Sequence, residues 1–251
     1  MRTDSGDVHR APAPSIRPWY HGRMEEKPEH GAQPTESAPH LRKDADGLAL
    51  VCGNMTLRAD FTHMLPRLAP GRLQRELLVR AARVKRPDGD ALPLAVDATA
   101  GLGEDALLLA AAGFEVVLCE RDAIIAALLK DALAHACEDE RLRAAAARMH
   151  LRQADSRDVL AELDEPPDAV LLDPMFPATS KSARAKKKLQ MLQMLEQPCD
   201  PADEAALLEA ALAAHPRKII VKRPAKGPYL AGRKPDYALS GKAIRYDVIV
   251  L

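Results

Sequence analysis

The chain lacks an excess of charge of either sign: 36 basic residues meet 36 acidic ones over 251 positions. That excludes attraction of the whole protein to nucleic acid and leaves room only for a local basic patch. Aromatic residues are scarce, with one Trp, four Tyr and three Phe, so an aromatic inside a motif carries weight. No apolar run approaches the roughly 18 residues that a membrane helix needs. The first ten residues, MRTDSGDVHR, contain no apolar stretch of the kind a secretory signal requires. The expectation is a cytoplasmic protein with no membrane partner. Cysteine is sparse too: Cys52, Cys119, Cys137 and Cys199 lie far apart without a C-x-x-C pair. Reduced, buried thiols are expected rather than disulfides or metal ligands.

Hydrophobic residues make up 47% of the chain, enough for a sizeable core. They are unevenly spread. Residues 1–46 hold six of the twenty prolines and few large apolar side chains, too little to offset the entropy of ordering. This segment is expected to be a flexible extension, with Trp19-Tyr20 the one place it could dock. Residues 47–91 read as a small lead-in subdomain. Within it, LALVCGNMTLRADF (48–61) suggests one or two short strands. GRLQRELLVRAARV (71–84) has apolar residues at helical spacing.

From residue 92 to 251 strands alternate with helices. LPLAVD (92–97), FEVVLCE (114–120), MHLRQ (149–153), DAVLLD (168–173), RKIIVK (217–222) and AIRYDVIVL (243–251) read as strands. DALLLAAA (105–112), stopped by Gly113, reads as a helix, as does DAIIAALLKDALAHAC (122–137), capped by Asp122. Asp200-Pro201 opens another through about Ala214. Near-continuous apolar strands between helices indicate an α/β protein with a parallel, doubly wound, Rossmann-like sheet covered on both faces.

Three motifs carry chemistry. The first is Asp97-Ala98-Thr99-Ala100-Gly101-Leu102-Gly103-Glu104-Asp105-Ala106, directly after the first strand of this sheet. Glycines let the backbone turn sharply and let a ligand lie against it. Glu120, seventeen residues after Gly103 at the end of the next strand, can accept hydrogen bonds from both hydroxyls of an adenosine ribose. Gly101-x-Gly103-x-x-Ala106 also satisfies a dinucleotide fingerprint, so a nicotinamide oxidoreductase is a competing reading. However, Glu104 and Asp105 on the first helical turn would repel a pyrophosphate. They would not repel the sulfonium and amino group of S-adenosylmethionine, which is the favoured cofactor. Asp155-Ser156, after the third strand, can reach an adenine amino group or simply cap the helix that follows.

The second motif is Asp173-Pro174-Met175-Phe176-Pro177. It has the shape of the [DN]-P-P-[FYW] loop of amino-directed methyltransferases, with Met175 at the second proline. An exocyclic amine is a poor nucleophile because its lone pair is conjugated with the ring. Asp173 and the Pro174 carbonyl can accept its two N–H protons, and Phe176 can stack on the base, worth roughly 1–3 kcal/mol. Transfer is then mainly positioning, and no metal is needed. The third motif is the run Lys181, Arg184, Lys186, Lys187 and Lys188, with no acid between Asp173 and Glu196. Lys222 and Arg223 add to the same sheet edge. Together they are expected to contact RNA phosphates.

DATAGLGEDA, CERDAIIAALLKDAL, LLDPMFP with KSARAKKK, IIVKRP and IRYDVIV together resemble the RsmJ family over roughly residues 48–251. These are bacterial class I methyltransferases that use S-adenosylmethionine to methylate guanine N2 in 16S rRNA. The resemblance implies 16S rRNA or the small ribosomal subunit as partner. It also implies cofactor contacts at Glu104 and Asp105, Glu120 and Arg121, Asp155 and Ser156, and Asp173. The family usually has a basic residue at Glu104 and a serine at Asp155, and its glycine-rich stretch is reduced here to Ala69-Pro70-Gly71-Arg72.

Overall fold

In this computed structural model, residues 38–85, 91–174, 191–192, 195 and 200–251 are described. Three short strands come first: β1 (His40–Asp44), β2 (Gly47–Cys52) and β3 (Met55–Leu57). Two helices follow, α1 (Leu65–Leu68) and α2 (Leu77–Ala82). The main domain then runs β4 (Leu94–Asp97), α3 (Glu104–Ala111), β5 (Glu115–Cys119), α4 (Ala123–Glu138), α5 (Arg143–Ala146) and β6 (Met149–Arg152). After these come α6 (Ser156–Ala161), β7 (Ala169–Leu172), α7 (Pro201–Ala213), β8 (Lys218–Pro224), β9 (Tyr237–Ser240) and β10 (Ile244–Val250).

Seven strands form one sheet in the order β6-β5-β4-β7-β8-β10-β9. The first five in that order are mutually parallel, whereas β10 pairs antiparallel with both β8 and β9. The sheet is thus parallel and doubly wound as expected, with one antiparallel edge. The cause is a hairpin: Gly241 donates its N–H to the Ile244 carbonyl, so β9 and β10 run back to back. Strand order reverses between β4 and β7, where doubly wound sheets open a ligand crevice at their carboxyl edge. One face packs on α2, α3, α4 and α5 through residues such as Leu107, Leu129 and Ile220, the other on α6 and α7 through Val170, Leu208 and Ile219.

The local signals act as expected where they are strong. Asp122 accepts hydrogen bonds from the N–H groups of Ile124 and Ile125 and starts α4. Asp200 accepts from Asp203 and starts α7, with Pro201 in its first turn. The expected helix over 71–84 is broken instead. Glu76 is extended (φ −58°, ψ 131°) because its carboxylate is held by Arg67 through two hydrogen bonds of 2.9 and 2.7 Å. A 3-10 turn, Leu73–Arg75, precedes that break and α2 follows it.

Strand β1 lies inside the segment expected to be an unstructured extension, so that boundary falls before His40. Its residues, HLRKD, are mostly exposed, and backbone pairing with β2 holds it. The small sheet docks on α4 at Gly47, whose φ is +98°. A Cβ there would fall 2.6 Å from Asp131 Oδ2, and Leu48 N–H donates to that same oxygen at 2.9 Å. Leu50 and Leu57 pack with Leu102, Ile125 and Leu128, so the lead-in segment shares its core with the main domain. Of the thiols, Cys119 is buried, Cys52 half-buried and Cys137 exposed, which corrects the expectation for Cys137: it sits on the outer side of α4. Cys199 lies outside the described residues. Among the described residues no helix is long and apolar enough to cross a membrane.

Candidate active site

The crevice is built first from the turn after β4. Gly101 (φ 54°) and Gly103 (φ 76°) both lie in the left-handed region that glycine tolerates. Their surroundings differ. A Cβ on Gly103 would meet Leu129 Cδ1 at 2.7 Å and Phe61 at 3.3 Å, so this glycine lets α3 pack closely. A Cβ on Gly101 would meet nothing within 4 Å, so the turn is open on that side. Glu120, buried at the end of β5, fixes the turn from below. Its Oε2 accepts the Gly101 N–H at 3.0 Å, and its Oε1 accepts the Asp122 N–H at 2.8 Å.

Three carboxylates gather on the α3 face. Asp105, in the first turn of α3, lies 2.6 Å from Lys222 Nζ. The same ammonium lies 2.8 Å from Asp173 Oδ2, just past β7. Asp97, at the end of β4, is buried beside them and accepts the Thr99 N–H at 3.2 Å. Burial, and then the charge of Asp105, push the Asp97 carboxyl up to about 8. Burial also raises Asp173, with Lys222 opposing it. Burial alone would depress the Lys222 ammonium, but Asp105 and Asp173 outweigh it and hold the group charged well above its ordinary range. Thr99 ties the two loops together: its Oγ1 accepts the Asp173 backbone N–H at 2.7 Å. Pro174 is buried behind Asp173.

Not every expected residue joins this cluster. Glu104 turns toward His63, 3.2 Å away. Arg121 is exposed. Asp155 caps α6 through the Arg157 N–H and is gripped by the Arg157 side chain at 3.0 and 2.6 Å, so its oxygens serve the helix start. Ser156 is buried beside it as the first residue of α6. Phe176 and the run Lys181, Arg184, Lys186, Lys187 and Lys188 lie outside the described residues.

Lys222 and Arg223, expected on an RNA-facing edge, are corrected. Consecutive strand residues face opposite sides. Lys222 therefore enters the carboxylate cluster. Arg223, buried on the α7 side, pairs with Glu204 at 3.1 and 3.2 Å and donates from Nε to the Pro228 carbonyl at 3.1 Å. Sequence reasoning also missed Thr99, which has no motif signal, and the exposed cations beyond β8. A signal for the latter did exist: residues 210–235 contain seven Lys or Arg and no Asp or Glu.

Around Lys222, Asp105 and Asp173 leave an excess of acid over base beside an open glycine turn. A ligand carrying a sulfonium and an amino group completes that balance, and a pyrophosphate worsens it. Fold and site together define an S-adenosylmethionine-dependent methyltransferase. The comparisons agree. The SAM-dependent methyltransferase family SAM_MT matches residues 33–251. A ribosomal RNA small subunit methyltransferase J of Thioalkalivibrio sulfidiphilus is 46% identical over 180 residues, 71% of this chain and 69% of its own length. One of the same name from Pseudomonas savastanoi pv. phaseolicola is 47% identical over 157 residues, 62% of this chain and 58% of its own length. The crystal structure of a SAM-dependent methyltransferase from Neisseria gonorrhoeae superposes with a TM-score of 0.67 at 27% identity, covering 88% of this chain and 86% of that one. This chain belongs to the ribosomal RNA small subunit methyltransferase J family of SAM-dependent methyltransferases.

Proposed function

We propose that the protein methylates the exocyclic N2 amine of a guanine in 16S rRNA, free or within the small ribosomal subunit, in the bacterial cytoplasm. The observation that carries this reading is Asp173. Its carboxylate is held by Lys222 and its backbone by Thr99, at the sheet edge beside the glycine turn. S-adenosylmethionine supplies an electrophilic methyl group on a sulfonium. The open side of Gly101 accommodates the adenosine, Glu120 accepts the ribose hydroxyls, and Ser156 lies on the adenine side. Asp105 and Asp173 face the positive charge.

Asp173 then has a second task. Once the base has left its stack, the carboxylate and the Pro174 carbonyl accept the two N–H groups of the amine and aim its lone pair. The N–C bond forms as the C–S bond breaks, and the amine sheds a proton. Burial raises the proton affinity of Asp173, which suits it to take that proton and pass it to water. Phe176 as a stacking platform and Lys181 to Lys188 as phosphate contacts remain expectations from sequence.

Asp173→Ala should lower the single-turnover rate on rRNA about 100-fold or more while RNA affinity and melting temperature stay near wild type, since the interaction matters most during transfer. A variant that keeps near-normal transfer removes the amine mechanism. Mass mapping of rRNA from cells lacking the gene separates this target from an amine on DNA or another RNA.

A further inference from the structure

Two buried guanidinium groups are spent on one short exposed loop. After β8 the chain runs through Ala225, Lys226, Gly227, Pro228 and Tyr229. Arg245 donates to the carbonyls of Pro224, Ala225 and Gly227 at 3.2, 3.1 and 2.9 Å. Its own charge is met by Asp247 at 2.8 and 3.0 Å. Arg223 takes the Pro228 carbonyl from the neighbouring strand. With its carbonyls turned inward, the loop is held from beneath and its outer groups are presented in a fixed arrangement. Those groups are Lys226, which is exposed, and Tyr229, which is 42% exposed. One face of the Tyr229 ring lies over Arg245, with the guanidinium 5.1 Å from its centroid.

A second loop joins this surface. Ala225 N–H donates to the Ala243 carbonyl at 3.0 Å, so the turn between β9 and β10, which carries exposed Lys242, lies against the β8 loop that carries Lys226. Both loops lie at the carboxyl edge of the parallel strands, the edge that holds Asp173. The other basic residues on β8 and at its start are committed elsewhere. Arg217 pairs with Asp168, Lys218 donates to the carbonyls of Ala81 and Arg83, and Lys222 and Arg223 are held as described. Lys226 and Lys242 have no acidic partner among the described residues.

We infer that Lys226, Lys242 and Tyr229 form an RNA-docking ledge beside the active site. The two lysines contact phosphates of a strand flanking the target guanine, and the ring stacks on one unpaired base of that strand. This rests on the rRNA reading above. A pre-set loop suits the role because it spends little ordering entropy on binding. Phosphate contacts carry affinity, and an aromatic face accepts any base.

The test uses the full chain and 16S rRNA. Lys226→Gln with Lys242→Gln should reduce the slope of log affinity against log salt by about 1.4–1.8, two contacts' worth. KM for RNA should rise, while the affinity for S-adenosylmethionine by calorimetry stays unchanged. Tyr229→Ala should weaken RNA binding by about ten-fold, and Tyr229→Phe should restore it. Arg233→Gln with Lys234→Gln is the matched charge control. These residues are exposed but precede Asp236, which is tied to Val248 and Val250 at the opposite end of β10. An equal loss of slope in that control, or an unchanged slope in the Lys226 and Lys242 variant, overturns the ledge while wild-type methylation of rRNA still stands. A wild-type chain that neither binds nor methylates the RNA overturns both readings.

Discussion

The two faces of β8 use charge in opposite ways. On the α3 face, Lys222 meets Asp105 and Asp173, with Asp97 buried alongside. On the α7 face, Arg223 meets Glu204 and Arg245 meets Asp247, one acid to each base. Arg223 and Arg245 are direct cross-strand partners, a juxtaposition of like charges that costs free energy unless each is neutralised. The balanced face builds scaffold: its pairs end in a fixed loop. The unbalanced face keeps carboxylates that would be more stable with additional positive charge, and that is the face on which the proposed function seats its cationic ligand. Charge imbalance, more than burial or pair length, separates the working side of this strand from the supporting side.

The balanced face should therefore break as a structure. Asp247→Ala leaves the Arg245 guanidinium buried without its carboxylate, and loss of one partner of such a pair costs about 3–5 kcal/mol. Denaturant unfolding should show that loss, and single-turnover transfer per folded molecule should fall far less than in Asp173→Ala. A variant with wild-type stability but little transfer would reverse the roles assigned to the two faces.

Asp97 sharpens the same contrast by pH. Its carboxyl is raised from 3.8 to about 8, by burial first and by the charge of Asp105 second. A raised acid contributes its stability fully below the unfolded value and loses it as pH climbs to the folded one. The protein should lose melting temperature between about pH 4 and pH 8 for this reason. Asp97→Asn keeps an oxygen to accept the Thr99 N–H and cannot ionise. Its melting curve should lie several degrees above wild type at pH 8 and converge with it near pH 4. Superimposed curves across that range would mean that Asp97 does not carry the raised proton affinity.

How much of this was legible in sequence depends on which forces set each part. Strands β4 to β8 and the Gly101–Gly103 turn declare themselves, because apolar runs and left-handed glycines are local signals. Asp173 was legible because Pro174 and Phe176 flag it. Strand β1 was not: HLRKD carries no alternation, and pairing with β2 makes it a strand. The break at Glu76 depends on Arg67, nine residues away, and so escapes helical periodicity. Lys222 and Arg223 read as one basic patch because sequence shows composition before it shows side. Once the strand is fixed, alternation sends one residue to Asp105 and the next to Glu204. The exposed lysines that remain, Lys226 and Lys242, become visible only after the spent ones are set aside.

The smallest expected effect is also the most specific to the unbalanced face. Lys222 lowers the proton affinity that burial gives Asp173, so the carboxylate stays ionised to lower pH than it would alone. Lys222→Met removes that influence. Asp173 should then take up its proton at higher pH on acidification, and the acid limb of the single-turnover rate should move upward in pH. The rate on the alkaline side, where Asp173 is ionised in both proteins, should change less. Lys222→Arg keeps a cation within reach of Asp105 and Asp173 and should return the limb toward its wild-type position. A merely structural lysine predicts another pattern, in which the methionine variant loses melting temperature and transfer in equal proportion at every pH. Rate profiles measured from pH 5 to 9, beside thermal melts of the same samples, distinguish the two, and a profile of unchanged shape would remove Lys222 from the control of Asp173.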